Sequence, residues 1–178
     1  RDVLGSRGLG DVYKRQPKND YIIKCLNKHN AIFDVEQQKM ILDKHNEYMG
    51  NHNIILYRDE YKDSYMAVHN NDLYWTADKV LNALDEFRVI LCIKDNKVVG
   101  YVDVTYNDKK NVLFDVFVCE EYRSQGIAKE MLSYAIKLNG DNDMNLDVNI
   151  DNIPAIKAYT DLGFKPIKGN TITAHFKI

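Results

Sequence analysis

The chain has 178 residues, of which 45% are hydrophobic and 28% charged, enough for one globular domain with some excess at an end. A formal net charge of -2 excludes the broadly basic surface of a nucleic-acid binder, and no apolar run reaches membrane-spanning length, so neither a membrane span nor a signal peptide is expected. Three cysteines, Cys25, Cys92 and Cys119, are odd in number and unpaired by spacing, which points to a reducing cytoplasm.

Residues 1–16 read RDVLGSRGLGDVYKRQ and resemble translated sequencing-adapter sequence, so this segment is expected to be a non-native tail. Its Gly5-Ser6-Arg7-Gly8-Leu9-Gly10 imitates a phosphate loop, but no apolar strand precedes it and no amphipathic helix follows. Residues 17–52 read as mainly helical, best over Ile32 to Met49, where Val35, Ile41, Leu42, His45 and Tyr48 share a face. That segment is either the remnant of an upstream domain or a helix packed on the domain that follows.

From residue 53 the pattern changes. Asn53 to Arg58 reads as a strand, and Glu60 to Asn70 and Thr76 to Glu86 as helices, with Thr76 an N-cap. Arg88 to Lys94 and Lys97 to Tyr106 form a strand pair across the Asp95-Asn96 turn. The apolar run Val112 to Cys119 is a further strand, broken only by Asp115.

After that run, Arg123-Ser124-Gln125-Gly126-Ile127-Ala128 opens the helical pattern Ile127, Met131, Ala135, Leu138. A strand, a tight glycine turn and a helix N-terminus make an anion site. Unpaired N–H groups point out of the first turn, the macrodipole adds positive potential, and Gly126 lets a phosphate approach closely.

Met144, Leu146, Val148 and Ile150 then alternate with Asn145, Asp147 and Asn149, the period of a half-buried strand. Asn152 suits a helix N-cap, Pro154 is tolerated in a first turn, and Gly163 stands where a left-handed residue ends a helix. Tyr159 falls near the end of that helix on the side of Ile156 and Asn152. Phe164 to Lys168 and Thr171 to Lys177 read as a closing hairpin on Gly169-Asn170.

Two of these segments resemble the GNAT superfamily of acyl-CoA-dependent N-acyltransferases. Arg123, Gly126 and Ala128 match its Q/R-x-x-G-x-G/A signature, and Leu146 to Phe164 matches its "V…N..A…Y…GF" segment, with the spacing and order of the two also agreeing. The resemblance covers residues 53–178. It implies an α/β (α+β) fold, a mixed, mostly antiparallel central sheet with helices on both faces. It also implies direct transfer of an acetyl group from acetyl-CoA, as co-substrate and without a metal, to a primary amine of a small molecule, peptide or protein. Carried over residue by residue, the backbone of Phe117 and Val118 would pair with the pantetheine arm. Arg123, Ser124, Gln125, Gly126, Ile127 and Ala128 would hold the pyrophosphate, and Asn152 the pantetheine. Tyr159 would protonate the departing thiolate.

A tyrosine near pKa 10 donating to a thiolate near 8.5 works uphill by about 2 kcal/mol, a small step within a catalytic barrier. Neutralising a lysine-like amine at pH 7 takes about 4.6 kcal/mol and an α-amine about 1.4 kcal/mol, so a strong base is needed mainly for the former. Asp147 matches the position of a glutamate in ribosomal-protein alanine acetyltransferases and is the expected base. Asp115 is a second candidate, although Asp115 and Asp103 equally suit one solvated strand face. Cys25 and His29 lack the second ligand pair of a metal site. Tyr74, Trp75 and Tyr106 suit either an acceptor pocket or the core. Two other readings remain: an acyl-CoA-binding module without catalysis, and an ATP site, the latter opposed by Lys129-Glu130 where a P-loop needs Lys-Ser/Thr.

Overall fold

A computed structural model describes residues 13–14, 20–106 and 108–176. In chain order its elements are β1 (Tyr13–Lys14), α1 (Asp20–Lys28), β2 (Ile32–Phe33), β3 (Gln37–Leu42), β4 (Asn53–Leu56), α2 (Lys62–Val68) and α3 (Ala77–Leu81). There follow β5 (Phe87–Lys94), β6 (Lys97–Thr105), β7 (Lys110–Val118), α4 (Ile127–Asn139), β8 (Asp143–Asn149), α5 (Ile153–Asp161), β9 (Phe164–Thr171) and β10 (Thr173–His175). Seven strands form one sheet in the order β4-β5-β6-β7-β8-β3-β9, antiparallel throughout except where β7 runs parallel to β8.

Strand alternation divides β5 and β6 between two apolar layers. Ile90, Cys92, Val102 and Val104 pack with Met131, Leu132 and Ala135 of α4 and with Tyr159 of α5. Val89, Leu91, Val98 and Tyr101 pack on the other face with Tyr65 of α2 and Val80 of α3. The fold is therefore α+β, a mixed and mostly antiparallel sheet with helices on both faces. The hairpin between β5 and β6 turns on Asp95 and Asn96, which both hold positive φ, 50° and 58°, as a tight two-residue turn matched to strand twist requires. α5 ends at Gly163, whose φ of +104° is left-handed and against which the Lys44 carbonyl packs. Thr76 does precede α3, but its side chain makes no capping hydrogen bond.

Two expectations are overturned. Residues 32–49 are not a helix: they form β2, β3 and an irregular strap. The helical spacing is present, but β3 inserts between β8 and β9, pairing Gln37 with Asn149 on one side and Leu42 with Phe164 on the other. Two long strand edges outweigh the local preference. The closing hairpin also does not form. β9 runs unbroken from Phe164 to Thr171, and an irregularity in its pairing with β3 absorbs Gly169, at φ +95°. β10 instead pairs with β1 and β2 in a small separate sheet. Tyr13–Lys14, inside the segment expected to be a non-native tail, is part of that sheet. The rest of residues 1–16, Asn107 and Lys177 lie outside the described residues.

Candidate active site

The central sheet is split. Pairing between β7 and β8 is confined to Lys110–Asp143, Asn111–Met144 and Val112–Asn145, and beyond Val112 the two strands part. Leu113 faces Val104 and Asp115 faces Asp103, which leaves Phe114 as the extra residue of a bulge. Such a bulge turns the strand and re-aims its side chains. Phe114 and Asp115 consequently lie on the same face as α2 and α3: Phe114 meets Phe87 at 5.5 Å and Trp75 at 6.2 Å. On the opposite face, α4 and α5 wall a cavity of about 740 Å³.

Most of the expected cofactor residues meet there. Val118, Arg123, Ser124, Gly126, Ile127 and Ala128 line the cavity, with Asn152 and Tyr159 across from them. Ser124 holds φ +61° and Gly126 φ +87°, so the turn into α4 is a strained, left-handed one of the kind that gathers backbone N–H groups into an anion concavity. No side chain caps the first turn of α4, and its N–H groups are open to an anion. Arg123 Nε donates to the Val118 carbonyl at 3.0 Å, which ties the end of β7 to the turn and occupies that carbonyl.

Gln125 and Phe117 do not line the cavity. Gln125 is exposed and donates to the Glu121 carbonyl. Phe117 points to the other face and stacks on Tyr101 at 5.6 Å, because it alternates with Val116 and Val118 along β7. The side chain of Asn152 accepts from the Ala155 N–H at 3.3 Å and caps α5. Cys119 is half-buried at the end of β7, outside the cavity wall.

Tyr159 is 9% exposed and packs against Phe164 with ring centroids 5.9 Å apart. Burial, and after it the charge of Asp115, push its hydroxyl well above the usual tyrosine range. Asp115 is held by the Tyr101 hydroxyl, which donates to it at 2.6 Å, and by the N–H of Val116 at 2.9 Å. Asp147 is exposed, faces away from Leu146 and Val148, stands opposite Lys39 of β3, and does not line the cavity.

Asp103 is not on a solvated face. It is 1% exposed under α2, accepting from the Tyr65 hydroxyl at 2.9 Å, with His69 Nε2 2.9 Å away. Burial raises its pKa, opposed first by His69 and then by Tyr65. His69 stacks on Tyr101 at 4.9 Å, and its Nδ1 is buried without a partner. Tyr65 on α2 and His69 just past its end stand four residues apart, a spacing that can bring both side chains to one side and the sequence signal that pointed to this cluster. Among the described residues no three His, Cys, Asp or Glu side chains converge as metal ligands, and no helix is long and apolar enough to cross a membrane.

A mixed sheet that splits between two parallel strands, with an uncapped helix N-terminus lining the cavity beside the split, makes a cleft able to hold an anionic group at that turn. Residues 54–164 match the model of the acetyltransferase (GNAT) family; the chain belongs to that family. It is 33% identical over 101 residues to the SPbeta prophage-derived uncharacterized N-acetyltransferase YokL of Bacillus subtilis, covering 53% of this chain and 56% of that protein. It is 34% identical over 95 residues to an N-alpha-acetyltransferase of Saccharolobus solfataricus, covering 44% of this chain and 56% of that one. The matches thus span just over half the length of these relatives. The solved structure of a GCN5-related N-acetyltransferase from Sphaerobacter thermophilus shares the fold at a TM-score of 0.70 and 13% identity, over 93% of this chain and 58% of that one.

Proposed function

We propose that the protein transfers an acetyl group from acetyl-CoA directly to a primary amine. The observation that carries this reading is the cavity itself, which is lined together by the uncapped turn at Gly126, by Val116 and Val118 where β7 has parted from β8, and by Tyr159 of α5. The family match and the two N-acetyltransferase relatives support it. The pyrophosphate would bind the N–H groups of α4 and the pantetheine would run past Val116 and Val118. The acceptor would approach from the α2–α3 face, where Phe114 is 45% exposed.

The amine nitrogen attacks the thioester carbonyl, the C–S bond breaks, and Tyr159 gives its proton to the departing sulfur. We assign the base to Asp115 rather than Asp147, since Asp115 lies where β7 parts from β8, on the α2–α3 face from which the acceptor would approach, and its charge acts on Tyr159, whereas Asp147 is exposed opposite Lys39. Aspartate is short, so a water relays the ammonium proton to it. Once protonated, Asp115 no longer opposes a charge on Tyr159, and the acid step becomes easier as the base step completes.

We further read residues 53–178 as the acyltransferase unit, completed by β3 from the preceding segment, and place the reaction in the cytoplasm, where three free thiols are stable. The test is acetyl-CoA turnover over a panel of polyamines, amino acids, aminoglycosides and peptide N-termini. Release of CoASH that depends on one amine class supports the reading. CoA binding with no turnover on any amine would leave a binding module instead.

A further inference from the structure

The strap that links β3 to β4, residues 43–52, precedes the family-matched region, which begins at residue 54. It crosses both helices that wall the cavity. At α5 it supplies donors to C-terminal carbonyls: the Asn46 N–H donates to Leu162 O at 3.0 Å and its side-chain amide to Asp161 O at 3.2 Å. At α4 it closes on the buried Ser133, whose hydroxyl accepts from the Tyr48 N–H at 3.0 Å and lies 3.1 Å from His45 Nε2. The His52 N–H then donates to Glu130 at 3.1 Å, with the ring Nδ1 2.6 Å from the same carboxylate.

These anchors on either side fix where Tyr48 points. Its ring lines the cavity, and its hydroxyl fills the space that a Cβ on Gly126 would take, with Cζ 3.2 Å from that position. Lys129 stands 5.7 Å from the ring centroid. The phenol is 38% exposed, and no hydrogen bond to another described residue is made by its hydroxyl. A free O–H donor therefore stands beside the uncapped N–H groups of α4, held there by the backbone of a different segment.

We propose that Tyr48 is a cofactor-binding residue whose hydroxyl donates to the pyrophosphate of acyl-CoA. This inference rests on the acyl-CoA reading and adds to it a donor from outside the family-matched region. A hydroxyl adds a hydrogen bond to a charged oxygen without a further cation, and its position is set in advance, so little ordering is lost on binding. The strap thereby makes the affinity for the nucleotide end depend on a segment that the chemistry does not touch.

The experiment measures binding of CoA and of acetyl-pantetheine, which lacks the pyrophosphate, to wild type, Tyr48→Phe and Tyr48→Ala by calorimetry, with the melting temperature of each recorded. Tyr48→Phe keeps the ring, so the fold is retained. Expected is roughly a tenfold loss of CoA affinity in Tyr48→Phe, as for a lost hydrogen bond to a charged group, with acetyl-pantetheine unchanged. Unchanged CoA affinity in Tyr48→Phe overturns the inference alone, and tighter CoA binding in either variant shows that Tyr48 obstructs the site. Equal losses for both ligands also overturn it, since they place the effect away from the pyrophosphate. Failure of the wild type to bind CoA removes the acyl-CoA reading and the inference with it.

Discussion

Burial first, and after it the charge of Asp115 on β7, raise the pKa of Tyr159 on α5. A free tyrosine gives up its proton more readily than this one does. In the proposed reaction, protonation of Asp115 would remove the smaller of these two effects and ease proton delivery from Tyr159, burial still holding the phenol above its usual range.

Replacing Tyr159 with Phe keeps the ring that packs on Phe164 and removes the proton. Turnover should fall by about 10²- to 10⁴-fold, the range of general acid–base groups, with acetyl-CoA affinity near normal. Single-turnover acetyl transfer checks this. Equal rates, with chemistry limiting, would leave Tyr159 as a packing residue.

For Asp115→Asn the expected loss depends on the acceptor. Lysine-like amines, which need about 4.6 kcal/mol to shed a proton at pH 7, should lose at least about 10²-fold, and α-amines, which need about 1.4 kcal/mol, clearly less. The measurement is the ratio of kcat/KM for the two classes in wild type and variant. An equal loss for both would assign Asp115 to positioning through Tyr101, whose hydroxyl it accepts.

Alkaline stability follows from three buried phenols. Tyr65, Tyr101 and Tyr159 all have raised pKa values, each first through burial. Below about pH 10 the phenols are neutral in the folded and unfolded chains alike. Above it the unfolded chain releases these protons and the fold retains them, so stability present below pH 10 is lost as pH rises through the folded values. Urea midpoints taken from pH 8 to 11 should hold until about pH 10 and then fall, and tyrosinate absorbance of the three should appear only with unfolding. A midpoint that does not fall above pH 10 contradicts this.

Gly163→Ala should be strongly destabilising. The position is left-handed at φ +104°, and a Cβ there would overlap the Lys44 carbonyl oxygen. Strain of this kind takes about 1–3 kcal/mol, and displacing the strap backbone raises it further. A fall in melting temperature of at least about 4 °C is expected for a chain of this size. A wild-type melting temperature would show that the strap moves freely, and the geometry assigned to Tyr48 would then not hold.

Much of the site was legible in the chain because its signals are local. A two-residue turn at Asp95-Asn96, a capping Asn152, a left-handed end at Gly163 and a strand–glycine–helix turn at Gly126 each depend on a few neighbouring residues and their φ preferences. All four stand where the sequence puts them. The positions of Gln37–Leu42, Asp103 and Tyr48 were not legible. The first is a strand because β8 and β9 present it with two edges, although its spacing is helical. Asp103 is buried because α2 brings Tyr65 and His69 to it from more than thirty residues away. Tyr48 reaches Gly126 only because the strap is pinned to two helices that follow it by some eighty residues and more. Short-range chemistry selects turns, caps and strand periods. Which edges pair, and which side chains then meet, is decided by contacts between segments far apart in the chain, whose energies no window of neighbouring residues contains.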